Sequence, residues 1–192
     1  MSVREIVAVG DPVLREPARE VSPQELRSAE MQTLIDDLIE TRRAADGAGL
    51  AANQVGVGVR IAVAEIEGVN PRYPYKPPIP LTVVVNPTVE PLDDEQFCNN
   101  EGCLSVPGLR GNLMRHVAIR LRYLDREGVS HDEVKRGLTA GTFQHEVDHL
   151  AGTLFLDRVT DPTTFATWEQ FERFHRDAFV ERVTALTERT GS

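Results

Sequence analysis

The chain has 192 residues, of which 41% are hydrophobic and 27% charged, proportions that exclude a disordered or fibrous protein and indicate a globular one. Its 21 basic and 30 acidic side chains give a formal net charge of −9, which argues against a direct DNA substrate held through its phosphates. No apolar run reaches the roughly 18 residues that span a bilayer, and the opening segment lacks the apolar stretch of a secretion signal, so a cytoplasmic protein without a membrane partner is expected.

The first predicted element is a helix over 24–44. Its start is marked by Ser22 as N-cap, Pro23 at the first helical position and Glu25 at the third. Apolar side chains then recur at the three-to-four spacing of one buried helix face: Leu34, Ile35, Leu38 and Ile39. The pattern ends near Gly47, a residue type at which helices commonly stop.

Two short β-branched runs, 59–66 and 81–86, predict strands. Between them lies a loop in which positions 71–80 contain five of the chain's 12 prolines. Both a polyproline ligand for a partner domain and a rigid connection between strands would have this composition. The connection is the simpler interpretation, and the loop is assigned no role.

Apolar residues at every second position over 117–123 predict a half-buried strand. The residues of its buried face are Val117, Ile119, Leu121 and Tyr123. A turn at Glu127 and Gly128 then leads to a returning strand over 129–134, so that the pair forms a hairpin.

The remaining sequence predicts helices over 138–151 and 162–189. The second carries an aromatic stripe that is interpreted as core: Phe165, Trp168, Phe171, Phe174 and Phe179. Because no repeat or long linker interrupts the chain, these elements predict one α+β domain over 1–192.

The segment from Gln144 to His149 contains the pattern H-E-x-x-H. On a helix, His145 and His149 lie one turn apart on the same face, so their imidazoles can bind one metal ion. Glu146 would stand beside the first ligand, where it could move a proton from an attacking water. The alternative is a solvated helix face with chance neighbours, and a third ligand decides between the two.

The third ligand has three candidate sources. The extended metalloprotease pattern requires a histidine where this chain has Phe155, so that pattern is excluded. Glu169 or Glu172 lies downstream beside the aromatic stripe, where an ordinary helix surface also accounts for it. Cys103 lies upstream and would complete a site of two nitrogens and one sulfur. Against it, a lone cysteine is usually a small buried hydrophobe, as Cys98 is expected to be.

Residues 47–52 satisfy the pattern G-x-G-x-x-A, which also occurs in dinucleotide-binding folds. That fingerprint needs a strand before it, whereas a predicted helix precedes it here. The glycines are better explained by a backbone that runs close to a ligand, with the side chain of Gln54 placed beside that ligand at the end of the segment. The amide of Gln54 could then donate to an oxyanion.

Three segments taken together resemble the signature motifs of bacterial peptide deformylases: GAGLAANQ at 47–54, EGCLS at 101–105 and QHEVDH at 144–149. Their order is that of the family, and the resemblance extends over nearly the whole chain. It implies an α+β fold in which antiparallel or mixed sheets pack around a central helix carrying H-E-x-x-H, with a further helix at the C-terminus.

The resemblance also implies the activity, which is removal of the formyl group from N-terminal formylmethionine with release of formate. Within it, Cys103, His145 and His149 bind one divalent metal ion, and Glu146 is the general acid and base. Gln54 and the backbone N–H of Leu104 hold the developing oxyanion. Ferrous iron (Fe²⁺) is the expected ion by analogy, with Zn²⁺, Ni²⁺ or Co²⁺ able to replace it, although nitrogen and sulfur donors alone would favour zinc.

The side of the site that binds substrate is predicted to include Ala48, Gly49, Arg110, Leu138 and Gly141. Arg110 matches a substrate-side arginine of the family and is expected to contact the peptide backbone, and Leu138 and Gly141 share the helix face of His145. Relatives carry a bulkier residue at the position of Gly141, so a wider pocket is expected here.

Two supporting contacts are also predicted around the metal ligands. Glu101 should accept a hydrogen bond from a ligating imidazole. Asp148 should pair with Arg115 in a buried or half-buried position.

The expected partners are formylated nascent peptides and, through the C-terminal helix, the ribosome, with the enzyme itself a monomer. Two other functions are kept as alternatives: another metal amidase or aminopeptidase of the H-E-x-x-H type, and a non-catalytic relative that binds peptides. The presence of Glu146 and Gln54 argues against the non-catalytic relative, because a pure binding protein needs neither.

Overall fold

The computed structural model describes residues 2–68 and 75–192, and in them helices pack on two antiparallel sheets. The helices are α1 (Pro23–Leu26), α2 (Ala29–Ala44), α3 (Gly137–Leu150), α4 (Phe155–Arg158), α5 (Trp168–Phe174) and α6 (Arg176–Thr190). The strands are β1 (Gly49–Ala51), β2 (Ile61–Ile66), β3 (Ile79–Pro91), β4 (Gln96–Cys103), β5 (Val106–His116), β6 (Ala118–Leu124), β7 (Ser130–Arg136) and β8 (Ala166–Thr167). Short 3-10 turns occupy Pro12–Leu14, Ala52–Val55 and Pro162–Thr164.

One sheet has the strand order β1-β2-β3-β6-β7 and the other the order β4-β5-β8. Each pairing between these strands is antiparallel. Helix α3 contacts strands of both sheets, and most of its residues are buried. The predicted α+β class with antiparallel sheets and a C-terminal helix is therefore confirmed. None of the helices in the described ranges is both long and apolar enough to cross a bilayer.

The single helix predicted over 24–44 is instead divided into α1 and α2. Ser22 caps the first by accepting a hydrogen bond from the Glu25 N–H at 3.2 Å, and Ser28 starts the second in the same way. The four apolar residues predicted for the buried face of this helix are all in the core. Helix α2 ends before Gly47, because Asp46 already adopts the left-handed conformation with a φ of 51°.

The predicted strands over 59–66 and 81–86 are present with shifted ends, as β2 and the longer β3. The proline-rich loop lies partly outside the described residues, since 69–74 are not among them, and β3 already begins at Ile79. Strands β6 and β7 form the predicted hairpin, and the four residues predicted for its buried face are buried.

The hairpin of β4 and β5 was not predicted. It carries the Glu101 to Cys103 segment, and its pairing is irregular between Gly102 and Cys103. Period-2 hydrophobicity is absent from β4 because Asn99, Asn100 and Glu101 are all buried polar residues. Cys98, expected in the core, is only half-buried.

The single helix predicted over 162–189 is interrupted. Thr167 caps α5 by accepting a hydrogen bond from the Gln170 N–H at 3.3 Å, and His175 separates α5 from α6. Of the aromatic stripe, Phe171 and Phe179 are buried, whereas Phe174 is 63% exposed. Helix α6 packs on the start of α3 through a cluster of apolar side chains: Leu138, Phe171, Phe179 and Val183.

Candidate active site

Three side chains that could together hold a metal ion converge where the end of β4 meets α3. Helix α3 presents His145 and His149 one turn apart, and β4 brings Cys103 to them. The Cys103 Sγ lies 3.2 Å from the His149 Nε2, which is itself 3.2 Å from the His145 Nε2. The three ligand atoms all lie within 4.8 Å of one another. Of the candidate third ligands, the structure thus brings Cys103 to the histidine pair.

The Cys103 side chain is held as a thiolate. Burial alone would raise its pKa, but the adjacent imidazoles of His149 and His145 lower that pKa to about 5. The Gln54 Nε2 and the Ser105 N–H, each 3.4 Å from Sγ, also donate toward the sulfur. A thiolate at neutral pH is the form that binds a metal ion.

The donor set fits a divalent transition metal. Two imidazole nitrogens and one thiolate sulfur are ligands that such ions prefer, and three protein ligands leave a position for a reactant. Beside them, the buried Glu146 Oε2 has no hydrogen-bond partner within the described ranges. A carboxylate oxygen left unpaired next to a metal-binding cluster is suited to exchanging a proton with a reactant there.

A buried network of charged residues orients His145, as predicted. The Glu101 Oε2 lies 2.8 Å from the His145 Nδ1, and Arg115 donates to Glu101 from Nε at 2.7 Å and to Asp148 from Nη1 at 2.6 Å. Burial would raise the pKa of Glu101, but Arg115 and His145 hold it well below its ordinary value. The ionised carboxylate accepts the Nδ1–H, which turns the Nε2 of His145 toward the cluster. Asp148 also forms an ion pair with Arg158.

Glu146 is buried, and burial raises the pKa of its carboxyl group, which makes it a better proton acceptor than an exposed glutamate. Its side chain packs directly over Gly49 of β1. A Cβ at Gly49 would fall inside van der Waals contact with the Glu146 carboxylate. A glycine is therefore required at this position for Glu146 to occupy its place.

Gln54 and Leu104 lie beside the cluster. The Gln54 Oε1 accepts a hydrogen bond from the Ala51 N–H at 2.9 Å, and its Nε2 donates to the Ser105 Oγ at 3.1 Å. These bonds fix the amide on the sulfur side of the site. Leu104 occupies the turn between β4 and β5 and lines the same cleft.

Four of the five residues predicted to bind substrate line this cleft: Ala48, Gly49, Arg110 and Gly141. Leu138 was predicted to line the cleft but is not among the lining residues. It packs against α5 and α6 instead. It shares a helix face with His145, but it lies nearly two turns away, where the C-terminal helices cover α3.

Arg110 is buried and firmly held. Its Nε donates to the Asn100 Oδ1 at 2.7 Å and its Nη2 to the Asn100 carbonyl at 2.8 Å. The guanidinium also lies over the rings of Trp168 and Phe171, at 4.4 and 4.7 Å from their centroids. Helix α5 therefore fixes the position of this cation at the cleft.

Gly141 lines the cleft, and the wider pocket expected from its missing side chain stays a prediction. A Cβ at this position would lie 3.3 Å from the Phe97 Cζ and 3.4 Å from the Asn99 Nδ2. Side chains of β4 thus border the position that a side chain at 141 would take.

Several polar residues that line the cleft were missed by the sequence reasoning: Lys76, Asn99, Asn100 and Thr142. Asn99 could have been found had β4 been recognised, because residues two apart on a strand share a face and Asn99 precedes Glu101 by two. Thr142 follows Gly141 on the metal-binding helix. Lys76 lies in the proline-rich loop, and no pattern in the sequence points to its place in the cleft.

A buried H-E-x-x-H pair completed by a cysteine, in an α+β fold of antiparallel sheets, defines the class of metal-dependent hydrolases. The family model described as polypeptide deformylase matches residues 3–165. The chain belongs to the polypeptide deformylase family, whose metal-dependent enzymes remove the formyl group from nascent peptides.

Individual relatives agree with this membership. The peptide deformylase of Leptospira biflexa is 41% identical over 172 residues, which cover 90% of this chain and 96% of the relative. A class I type b peptide deformylase from Acinetobacter baumannii, solved with Met-Ala-Ser bound, superposes with a TM-score of 0.79 at 37% identity and covers 83% of this chain and 100% of its own. A peptide deformylase from Synechococcus elongatus in complex with actinonin gives 0.73 at 30% identity, with coverages of 98% and 86%. The alternative of another amidase or aminopeptidase is not favoured.

Proposed function

We propose that Cys103, His145 and His149 hold one divalent metal ion, and that Glu146, Gln54 and Leu104 carry out deformylation of N-terminal formylmethionine beside it. The observation that carries this proposal is the buried, unpartnered Oε2 of Glu146 next to the three converging ligands. When bound, the ion would polarise the formyl carbonyl and lower the pKa of a coordinated water. Fe²⁺ is the expected ion, and the donor set also accepts Zn²⁺, Ni²⁺ or Co²⁺.

Glu146 is proposed to transfer the proton. Its carboxylate takes the proton from the attacking water and then delivers it to the nitrogen of the leaving amine. The raised pKa of this buried group supports both roles, because the carboxyl group can release the proton as well as accept it. Formate and a free N-terminal methionine result.

Gln54 and Leu104 are proposed to stabilise the charge that develops on the formyl oxygen. The Gln54 amide is already fixed at the edge of the cluster, and the N–H that points toward the Cys103 sulfur would turn to that oxygen. The backbone N–H of Leu104 would donate from the turn that follows Cys103.

The substrate backbone is proposed to lie along β1, which is an edge strand of its sheet and lines the cleft through Gly49. An extended peptide can pair with such an edge. Ala48, Gly141 and the fixed guanidinium of Arg110 would then border the first residues of the peptide.

The enzyme is proposed to act in the cytoplasm as a monomer formed by one domain over 1–192. Association with the ribosome through α6 also remains a prediction. Because Phe179 and Val183 of α6 pack on α3, deleting this helix would expose core. Charge reversals at exposed arginines of α6, such as Arg189→Glu, are a cleaner test of ribosome cosedimentation.

Formate release from formyl-Met-Ala-Ser by anaerobically purified protein tests the proposed function, with bound metal quantified in the same sample. We expect formate in proportion to bound ion and none after a chelator has removed it. A metal-loaded protein that gives no formate but cleaves unformylated Met-Ala-Ser would contradict the proposal and support an aminopeptidase.

Gly49→Ala is expected to lower kcat/KM for this peptide about a hundredfold, because the new Cβ forces the Glu146 carboxylate from its place. The metal content should not change, since the three atoms nearest the new Cβ all belong to Glu146 and not to a proposed ligand. Gly58→Ala is the matched control, because a Cβ there meets nothing within 4 Å. Equal activity of the two variants would show that the position of Glu146 is not critical.

A further inference from the structure

A buried arginine near the end of α2 holds the start of the backbone segment 47–49, which lines the cleft. The Nη1 of Arg42 donates to the Gly47 carbonyl at 3.0 Å and to the Glu65 carbonyl at 2.9 Å. Its Nη2 forms an ion pair with the Glu65 carboxylate, and both side chains are buried. Arg42 therefore joins the end of α2, the start of the 47–49 segment and strand β2.

The 47–49 segment supports the carboxylate of Glu146. A Cβ at Gly49 would fall inside van der Waals contact with that carboxylate, so the side chain of Glu146 rests directly on the backbone of Gly49. At the start of the segment, a Cβ at Gly47 would lie 2.9 Å from the Leu104 Cδ1 and 3.5 Å from the Arg42 Cγ. A shift of Gly47 would therefore move the backbone on which Glu146 rests.

The strand that follows Gly47 is short and is paired on one side. Strand β1 has three residues and is an edge strand that pairs with β2, with Gly49 opposite Ala64. The Ala48 carbonyl accepts a hydrogen bond from the Glu65 N–H at 3.0 Å. Gly47 precedes this ladder, and its carbonyl is held by Arg42 instead. The guanidinium thus extends the attachment of the segment by one residue beyond the bonds to β2.

Neutralising Glu65 does not by itself require Arg42. The neighbouring Arg43 donates to both oxygens of the same carboxylate, from Nε and from Nη2 at 3.0 Å each. A buried ion pair also contributes little net stability, because the loss of hydration of both charges offsets their attraction. The contact that distinguishes Arg42 is its bond to the Gly47 carbonyl.

On the basis of the proposed function, in which Glu146 transfers the proton, we infer that Arg42 is a positioning residue for Glu146. It acts through the backbone of the 47–49 segment and touches no reacting atom. A guanidinium suits this role because its planar group of donors can hold a carbonyl and a carboxylate together. Hydrogen bonds from a charged donor are also stronger than those between neutral groups.

Arg42→Met keeps a long side chain in the buried position and removes the donor. The kcat for formate release from formyl-Met-Ala-Ser should fall about tenfold, because a small displacement of Glu146 from the reactant slows proton transfer. Arg43→Met is the matched control: it removes the other cation from Glu65 and leaves the Gly47 contact in place, so kcat should stay close to that of the wild type. Equal losses in the two variants would overturn the inference.

Arg42→Lys decides the matter if Arg42→Met does not fold. The ammonium keeps a charge beside Glu65 but lacks the planar group of donors, so kcat should fall about threefold. A wild-type kcat in this variant would overturn the inference.

A double-mutant cycle with Glu146→Gln separates positioning from a general loss of structure. If Arg42 acts through Glu146, then Arg42→Met should lower kcat far less in the Glu146→Gln background than in the wild type. A further tenfold loss in the double variant would show that the two residues act independently, which would overturn the inference.

Amide hydrogen exchange measures the attachment of the 47–49 segment without turnover. Exchange in this segment should be faster in Arg42→Met than in Arg43→Met, because the start of the segment opens more readily without its bond to Arg42. Equal exchange in the two variants would overturn the inference. Absence of formate with the metal-loaded wild type would instead refute the proposed function, and the exchange rates would still decide whether Arg42 fixes the segment.

Discussion

Glu146→Gln is expected to lower kcat for formate release about a thousandfold while the protein keeps its metal ion. The amide has the shape of the carboxylate but cannot accept the proton of the attacking water. Substrate binding should change little, since Glu146 is proposed to act on the proton and not to hold the peptide. Steady-state rates with formyl-Met-Ala-Ser, together with the metal content of the same preparation, measure both effects.

Glu101→Gln provides the comparison, because it makes the same chemical change on the other carboxylate near His145. Glu101 orients the imidazole through its contact with the His145 Nδ1, so this variant should lose about 10- to 100-fold in metal affinity. Once saturated with metal, it should recover most of its kcat. If Glu146→Gln kept more than a tenth of the wild-type rate, another group would have to carry the proton.

Arg115→Met is expected to lower the free energy of unfolding by about 3–5 kcal/mol, the usual cost of removing one partner from a buried ion pair. Arg115 is buried between Glu101 and Asp148, and without it the ion pair with His145 is the one that Glu101 keeps among the described residues. Asp148 keeps its contact with Arg158, so the larger part of the loss should come from Glu101. Chemical denaturation of the metal-loaded protein measures the change.

Arg122→Met is the control for this measurement. Arg122 also bridges two carboxylates, Glu90 and Asp132, but all three side chains are exposed. Exposed pairs contribute about 1 kcal/mol or less, so this substitution should scarcely affect stability. Similar losses for the two variants would show that burial does not strengthen the Arg115 network.

The sequence predicted those parts of the site in which residue type and spacing determine the geometry. Two histidines four residues apart on a helix must share a face, so the pairing of His145 with His149 followed from the spacing alone. The choice of Cys103 did not follow from spacing, because it depends on where β4 ends relative to α3. The family resemblance supplied that choice, and in the structure Cys103 lies beside the histidine pair.

Other parts of the fold escaped the sequence reasoning for identifiable physical reasons. Strand β4 lacks hydrophobic alternation because it buries the polar residues Asn99 and Glu101 in the site. The pattern by which strands are predicted is therefore absent from it. The two long predicted helices are interrupted at positions where Ser28 and Thr167 supply new N-caps, and a capping residue inside a helical pattern is a weak signal. The position of Lys76 in the cleft depends on the path of a loop, which no periodicity describes.

The three proposed metal ligands come from separate parts of the chain, and this has a consequence for folding. Two of them stand on α3, which contacts both sheets, and the third lies at the tip of the β4–β5 hairpin. An ion held by all three cross-links the hairpin to the helix, and it binds the folded chain far better than an unfolded one. The thermal unfolding midpoint of this enzyme should therefore rise with the free ion concentration. Thermal stability would then report the fraction of enzyme molecules that hold a metal ion.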